Sequence, residues 1–196
     1  MNFRQLMEKT WFWPAVGGGV ILLIVAMVLI ETLEPFASEP ATFRLSDLPS
    51  SGSAELLQDV RSHESQGRQH VATGSSITYA ETPPTSGTHY GRSIPAGFYT
   101  SEQPYGGLVH SLEHGAVVIY YADELSGSTR SSLEQLANGY QNPWGGVLAV
   151  PQPEPFGAPL VLTAWQARLD LESYDEEIIR AFLAEYLGRG PENPIR

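Results

Sequence analysis

The stretch LVHSLEHGAVVIYY, Leu108–Tyr121, joins two unlike halves. Its second half, Ala116–Tyr121, is an unbroken apolar run rich in β-branched and aromatic residues, which reads as a buried strand. Its first half sets His110 and His114 four residues apart, with Glu113 beside the second and Gly115 directly after. Residues four apart point to similar sides in a helix and in a strand alike. Distance separates the two cases. In a strand the pair stands about 13 Å apart at ~3.3 Å per residue, beyond the reach of one metal with bonds of ~2.0–2.1 Å. In a helical turn their Cβ atoms come within roughly 5–6 Å. A shared site therefore requires residues 110–114 to coil, with Gly115 in the left-handed conformation releasing the chain into the strand. Because Gly106–Gly107 precede this segment and a strand follows it, the sequence predicts a single helical turn there.

Downstream the pattern is regular. GSTRSSLEQLANGY reads as a helix with Leu133, Leu136, Ala137 and Tyr140 on one face. GGVLAVPQ and APLVLTAWQARL read as two more strands. SYDEEIIRAFLAEYLGRG reads as an amphipathic helix, with Ser173 and Glu176 at capping-box spacing and Gly188, Gly190 and Pro191 ending it. Upstream, AELLQDVRSHES suggests a short helix, and Glu81–Gly107 is dominated by proline and glycine. The order β–α–β–β–α behind a loop-rich first half predicts an α+β domain with a mixed sheet over residues 54–192.

The N-terminus is different in kind. Trp11–Ile30 holds twenty residues without a charge, about the length a helix needs to cross a hydrocarbon core. Arg4 and Lys9 precede it and Glu31, Glu34 and Glu39 follow, so residues 1–10 are expected in the cytoplasm. Trp11, Phe12 and Trp13 suit the cytoplasmic-side interface, and Pro14 suits a first helical turn. A cleaved signal peptide is the competing reading, but Pro35 at the minus-three position from Ala37 fits it poorly. The expected organisation is a single-pass anchor over 11–33, a Pro/Ser/Ala/Thr-rich linker over 34–53, and an extracytoplasmic domain at the cell membrane.

Composition narrows the chemistry. The chain of 196 residues has no cysteine and its net charge is −11. Lys9 is its only lysine and no basic stripe is present, which argues against nucleic acid as a partner. Without cysteine there is no thiolate metal site, c-type haem attachment, redox dithiol or blue-copper centre. Met1, Met7 and Met27 all lie in the anchor region, so the domain has no thioether ligand either. Any metal must be held by imidazole and oxygen.

Of five histidines, His70, His89, His110 and His114 fall within one loop-rich window, and they are the predicted ligands of a shared metal site. Glu113 is the expected acceptor that orients an imidazole from behind. Copper(II) is the favoured ion and zinc(II) the alternative, since imidazole suits both and copper generally binds more tightly. His63, in VRSHESQG, reads as an exposed helix end and is left out. The H-x-x-E-H spelling of His110–His114 also matches the inverted zincin motif. That motif needs a long helix and a third ligand from another helix, and the local sequence offers neither. No G-x-S-x-G elbow supports a serine triad on Ser86 or Ser111.

GRQHV, YAETPPTSGTHY, GFY, LVHSLEHGAVVIYY, LTAWQARL and SYDEEIIRAFLAEYLGRGPE occur in that order. Together they resemble the membrane-anchored bacterial family known as domain of unknown function three-one-zero-five, over roughly Gly67 to Glu192. The usual PPTSGPHY has Thr88 in place of its last proline here, and TAWGR reads TAWQAR, which puts a glycine-dependent turn after Trp165 in question. The resemblance implies an extracytoplasmic domain on one anchor and marks the same four histidines. It implies no activity.

The functional expectation is therefore a membrane-tethered protein that captures or delivers a divalent ion, with a metal acceptor protein or a membrane complex as its partner. The reading leans away from catalysis. One alternative is a metal-dependent enzyme with an open coordination position on the same histidines. Another is an accessory subunit with structural histidines, in which Tyr90, Tyr99, Tyr105 and Trp144 form a contact surface.

Overall fold

A computed structural model describes residues 44–196 of the chain. The predicted cytoplasmic segment 1–10, the anchor 11–33 and the first part of the linker lie outside the described residues. No helix among the described residues is long and apolar enough to cross a membrane.

In chain order the elements are β1 (Arg61–Ser62), β2 (His70–Val71), β3 (His89–Tyr90), β4 (Gly97–Phe98), α1 (Tyr105–Glu113), β5 (Val117–Tyr121), α2 (Gly127–Gly139), β6 (Gln141–Asn142), β7 (Gly145–Pro151), β8 (Leu160–Ala164), β9 (Ala167–Leu171) and α3 (Glu176–Tyr186). The main sheet runs β1-β9-β8-β5-β7-β4, with β6 paired to β7. It is mixed: β5 runs parallel to β7 and antiparallel to β8. A second, two-stranded parallel ladder joins β2 to β3. The described residues form an α+β domain, as the alternating patterns predict.

The strand β5 is buried on both faces, and its side chains divide the core. Val117, Ile119 and Tyr121 pack with Leu133, Leu136, Ile179, Phe182 and Leu183 of α2 and α3. Val118 and Tyr120 face the other way, against Leu108 and Leu112 of α1 and Leu148 and Val150 of β7. The sheet is thus covered on both sides, with α1 on the second face and the β2–β3 ladder packed against α1.

Four local expectations are corrected. APLVLTAWQARL is a hairpin, β8 and β9, turning at Trp165–Gln166; Gln166 takes the positive φ of 61° that glycine normally supplies. The tip is held because Gln166 N donates to Thr85 O and Gln166 Nε2 donates to His63 O. The segment at 54–60 makes only turns before β1, with Leu57 N bonded to Ser53 O; one turn is too short to sustain a helix. The N-cap of α3 is Asp175, whose carboxylate accepts from Glu177 N and Ile178 N, and the Ser173–Glu176 box does not form. Finally, residues 44–53 do not trail as a linker. Leu45–Asp47 form a 3-10 turn, Leu48 is buried in the α2–α3 core, and Gly52 N donates to Glu185 Oε2.

Candidate metal centre

The ladder between β2 and β3 is the first positioning device. His70 and His89 are register partners in it, so their side chains leave the same face side by side. Their rings meet edge to face with centroids 4.7 Å apart. Backbone bonds His89 N→Gln69 O and Gly91 N→Val71 O hold the register.

The second device is α1. It spans nine residues, Tyr105–Glu113, longer than the single turn expected. The two glycines that read as breakers lie inside it, because the helix must approach β3 closely. A Cβ on Gly106 would stand 2.8 Å from the Tyr90 ring, and one on Gly107 would stand 2.8 Å from the Ile94 side chain. Gly106→Ala is therefore expected to cost about 1–3 kcal/mol through overpacking, against a helix-propensity gain of up to about 1 kcal/mol. Urea unfolding of the metal-free protein checks this. Gly107→Ala meets only the end of an aliphatic chain and should cost less.

The helix ends in a Schellman motif. Gly115 N donates to Leu112 O and Ala116 N donates to Ser111 O, while Gly115 sits at φ +90°. Here the junction expected from the sequence forms: residues 110–114 coil and Gly115 releases the chain into β5. His110 and His114 then face each other, with Nε2 atoms 3.0 Å apart.

Hydrogen bonding to carbonyls fixes two of the rings. His89 Nδ1 lies 2.7 Å from Gly87 O, and His110 Nδ1 lies 2.6 Å from Tyr90 O. A carbonyl oxygen can only accept, so each Nδ1 carries the proton and each Nε2 presents a lone pair. The His89 lone pair points at Glu113, whose Oε2 is 3.0 Å away, and His70 Nε2 lies 3.4 Å from the same oxygen. His89 and Glu113 are 0% and 3% exposed. Two acceptors facing each other at that distance in a buried site call for a cation between them, either a proton or a metal. At His110 burial is the largest effect and holds the imidazole below its ordinary pKa; His114, His89 and His70 add to it, and the bond to Tyr90 O opposes them.

One donor atom from each of His70, His89, His110 and Glu113 lies within 4.8 Å of the others. A tetrahedral ion with bonds of ~2.0–2.1 Å spaces its donors roughly 3.3–3.5 Å apart, so a small inward shift brings this set to bonding distance. The set differs from the predicted one in two members. Glu113 stands among the donor atoms, not behind a ring. His114 turns outward, where its Nε2 lies 2.9 Å from Glu192 Oε2. Glu192 escapes the sequence reading because GRGPE reads as a helix stop; the two glycines before Pro191 are the sign of a chain turning back. His63 is apart from the cluster and pairs with Glu81. Of the aromatics weighed as a contact surface, Tyr90, Tyr99, Tyr105 and Trp144 are all half-buried. The one exposed large hydrophobic among the described residues is Ile195.

A family model described as protein of unknown function (DUF3105) matches residues 70–195, a span that holds every donor named above. No curated protein and no solved structure matches the chain.

Proposed function

The chain belongs to the DUF3105 family of proteins of unknown function, and since that membership carries no activity we propose one from the site: a membrane-tethered, extracytoplasmic protein that holds one divalent transition-metal ion for capture or delivery. Copper(II) is favoured and zinc(II) is next, on the general order of affinities for nitrogen and oxygen donors. The tether is the uncharged segment Trp11–Ile30, with the charge asymmetry that places its N-terminus in the cytoplasm.

One observation carries the reading. His70, His89, His110 and Glu113 converge their donor atoms, and two of the imidazoles have the proton on the far nitrogen, held by a backbone carbonyl. That far-side anchoring is how metal-bound imidazoles are commonly oriented. Three imidazoles and a carboxylate complete a four-coordinate shell without water, which favours holding an ion over turning a substrate over. His70 is about half exposed, 49% at the side chain, and gives the ion a way in.

The test is metal titration of the full-length protein in detergent after stripping with chelator. One equivalent of copper(II) should bind, more tightly than zinc(II), with nitrogen hyperfine structure from coordinated imidazole in the electron paramagnetic resonance spectrum. Uptake that is weak, and unchanged by His89→Gln, would remove the proposal.

A further inference from the structure

We propose a second cation position on the outside of the cluster, built from His110 Nε2, His114 Nε2 and Glu192 Oε2, which a single divalent ion occupies in alternation with the inner position as it enters or leaves. The inference rests on the ion-holding reading above and adds the route.

These three donor atoms also lie within 4.8 Å of one another. His114 Nε2 stands between the other two, 3.0 Å from His110 Nε2 and 2.9 Å from Glu192 Oε2. The Trp144 ring lies against His114, with centroids 4.1 Å apart, and limits how that imidazole can turn. Glu192 is not a stray surface carboxylate. The tail that carries it is fixed by Gly188 N→Gly115 O, Glu192 N→Glu113 O and Ile195 N→Gly188 O. Gly190 is in such close contact that a Cβ there would overlap Glu113 O and Gly115 N. Two residues adjacent in sequence, Glu113 and His114, thus serve opposite sides. Glu113 looks inward to His70 and His89, and His114 looks outward to Glu192.

His110 belongs to both sets, and this makes them alternatives. Its Nδ1 is committed to Tyr90 O, so only the Nε2 lone pair is free, and one lone pair cannot bind two ions. Transfer outward keeps the bond to His110. Bonds to His70, His89 and Glu113 break and bonds to His114 and Glu192 form; the proton on His114 Nε2 leaves to solvent, and a proton from solvent takes the ion's place between His89 Nε2 and Glu113. No electron moves. The outer set offers three donors and leaves a coordination position for water or for a ligand of an acceptor, the arrangement that suits exchange. The Glu192 side chain is 41% exposed and within reach of such an acceptor.

The experiment uses the full-length protein loaded with copper(II), the unmodified chain compared with Glu192→Gln and His114→Gln. Equilibrium affinity should stay close to that of the unmodified chain. The rate at which excess chelator strips the ion should fall by about tenfold, an exit barrier higher by about 1.4 kcal/mol. In a His89→Gln background, residual copper should show coupling to two nitrogens and be lost on adding Glu192→Gln. If that background does not fold, the half-exposed His70→Ala serves in its place. Stripping rates and residual binding indifferent to Glu192, with the unmodified chain still binding its ion, overturn the outer position alone. An unmodified chain that takes up no ion overturns both readings.

Discussion

His89→Ala is expected to abolish tight ion binding by the full-length protein. The fall in affinity should exceed the roughly 10–100-fold that loss of an outer partner costs at a metal site. His89 is fully buried and its ring is set by the bond to Gly87 O, so neither a neighbouring side chain nor bulk solvent can replace its Nε2. Calorimetric titration with copper(II) and zinc(II) measures the loss. Thermal unfolding gives a second reading. An ion at a hundred times its dissociation constant stabilises a folded chain by about 2.7 kcal/mol, so the unmodified protein should melt higher with copper and the variant should not. His63→Ala is the control: His63 pairs with Glu81 outside the cluster, and its loss should leave ion affinity unchanged. Equal stabilisation of His89→Ala by copper would show that His89 is not a ligand.

The second large effect is expected at Gly115. Its φ of +90° disfavours any side chain, and a Cβ there would stand 2.7 Å from Gly190 N and 3.0 Å from Arg189 N. Both neighbours are backbone and cannot swing aside. Gly115→Ala should therefore cost about 2–5 kcal/mol, combining a strained backbone with overpacking. Urea unfolding of the metal-free protein tests the magnitude. The same substitution should push the C-terminal tail away from α1, since Gly188 N donates to Gly115 O. Faster amide exchange at Gly188 and Glu192 would report that displacement. A loss under about 1 kcal/mol, typical of an ordinary surface site, would mean that the junction relaxes freely.

The parts of the fold legible in the sequence are those where one periodicity runs long enough to dominate. Val117–Tyr121, Gly127–Gly139 and the helix rich in Ile178, Ile179, Phe182 and Leu183 form close to where the patterns put them. Gly115 was legible too, because only one backbone conformation lets a coil become a strand in so few residues. Where the reading failed, tertiary contact overruled local preference. Gly106 and Gly107 look like breakers and are spacers that let α1 meet Tyr90 and Ile94. Trp165–Gln166 carries no turn signature, and the turn is held instead by Thr85 and His63. The pairing of His70 with His89 has no signature either. A two-residue parallel ladder is set by what surrounds it, so the sequence could nominate both histidines but could not show that they are neighbours. The inward turn of Glu113 and the arrival of Glu192 are long-range events of the same kind.

The main sheet ends on each side in a strand of only two residues, β1 at Arg61–Ser62 and β4 at Gly97–Phe98. An open edge that short offers few unpaired backbone groups on which another chain could template itself. At β1, Arg61 also pairs with Asp170 across the margin, putting charge where a foreign strand would have to lie. On the tether proposed above, copies of the domain would be held at high local concentration, where edge-to-edge aggregation is favoured. Clipped, charged margins would disfavour fibre-like growth among such copies.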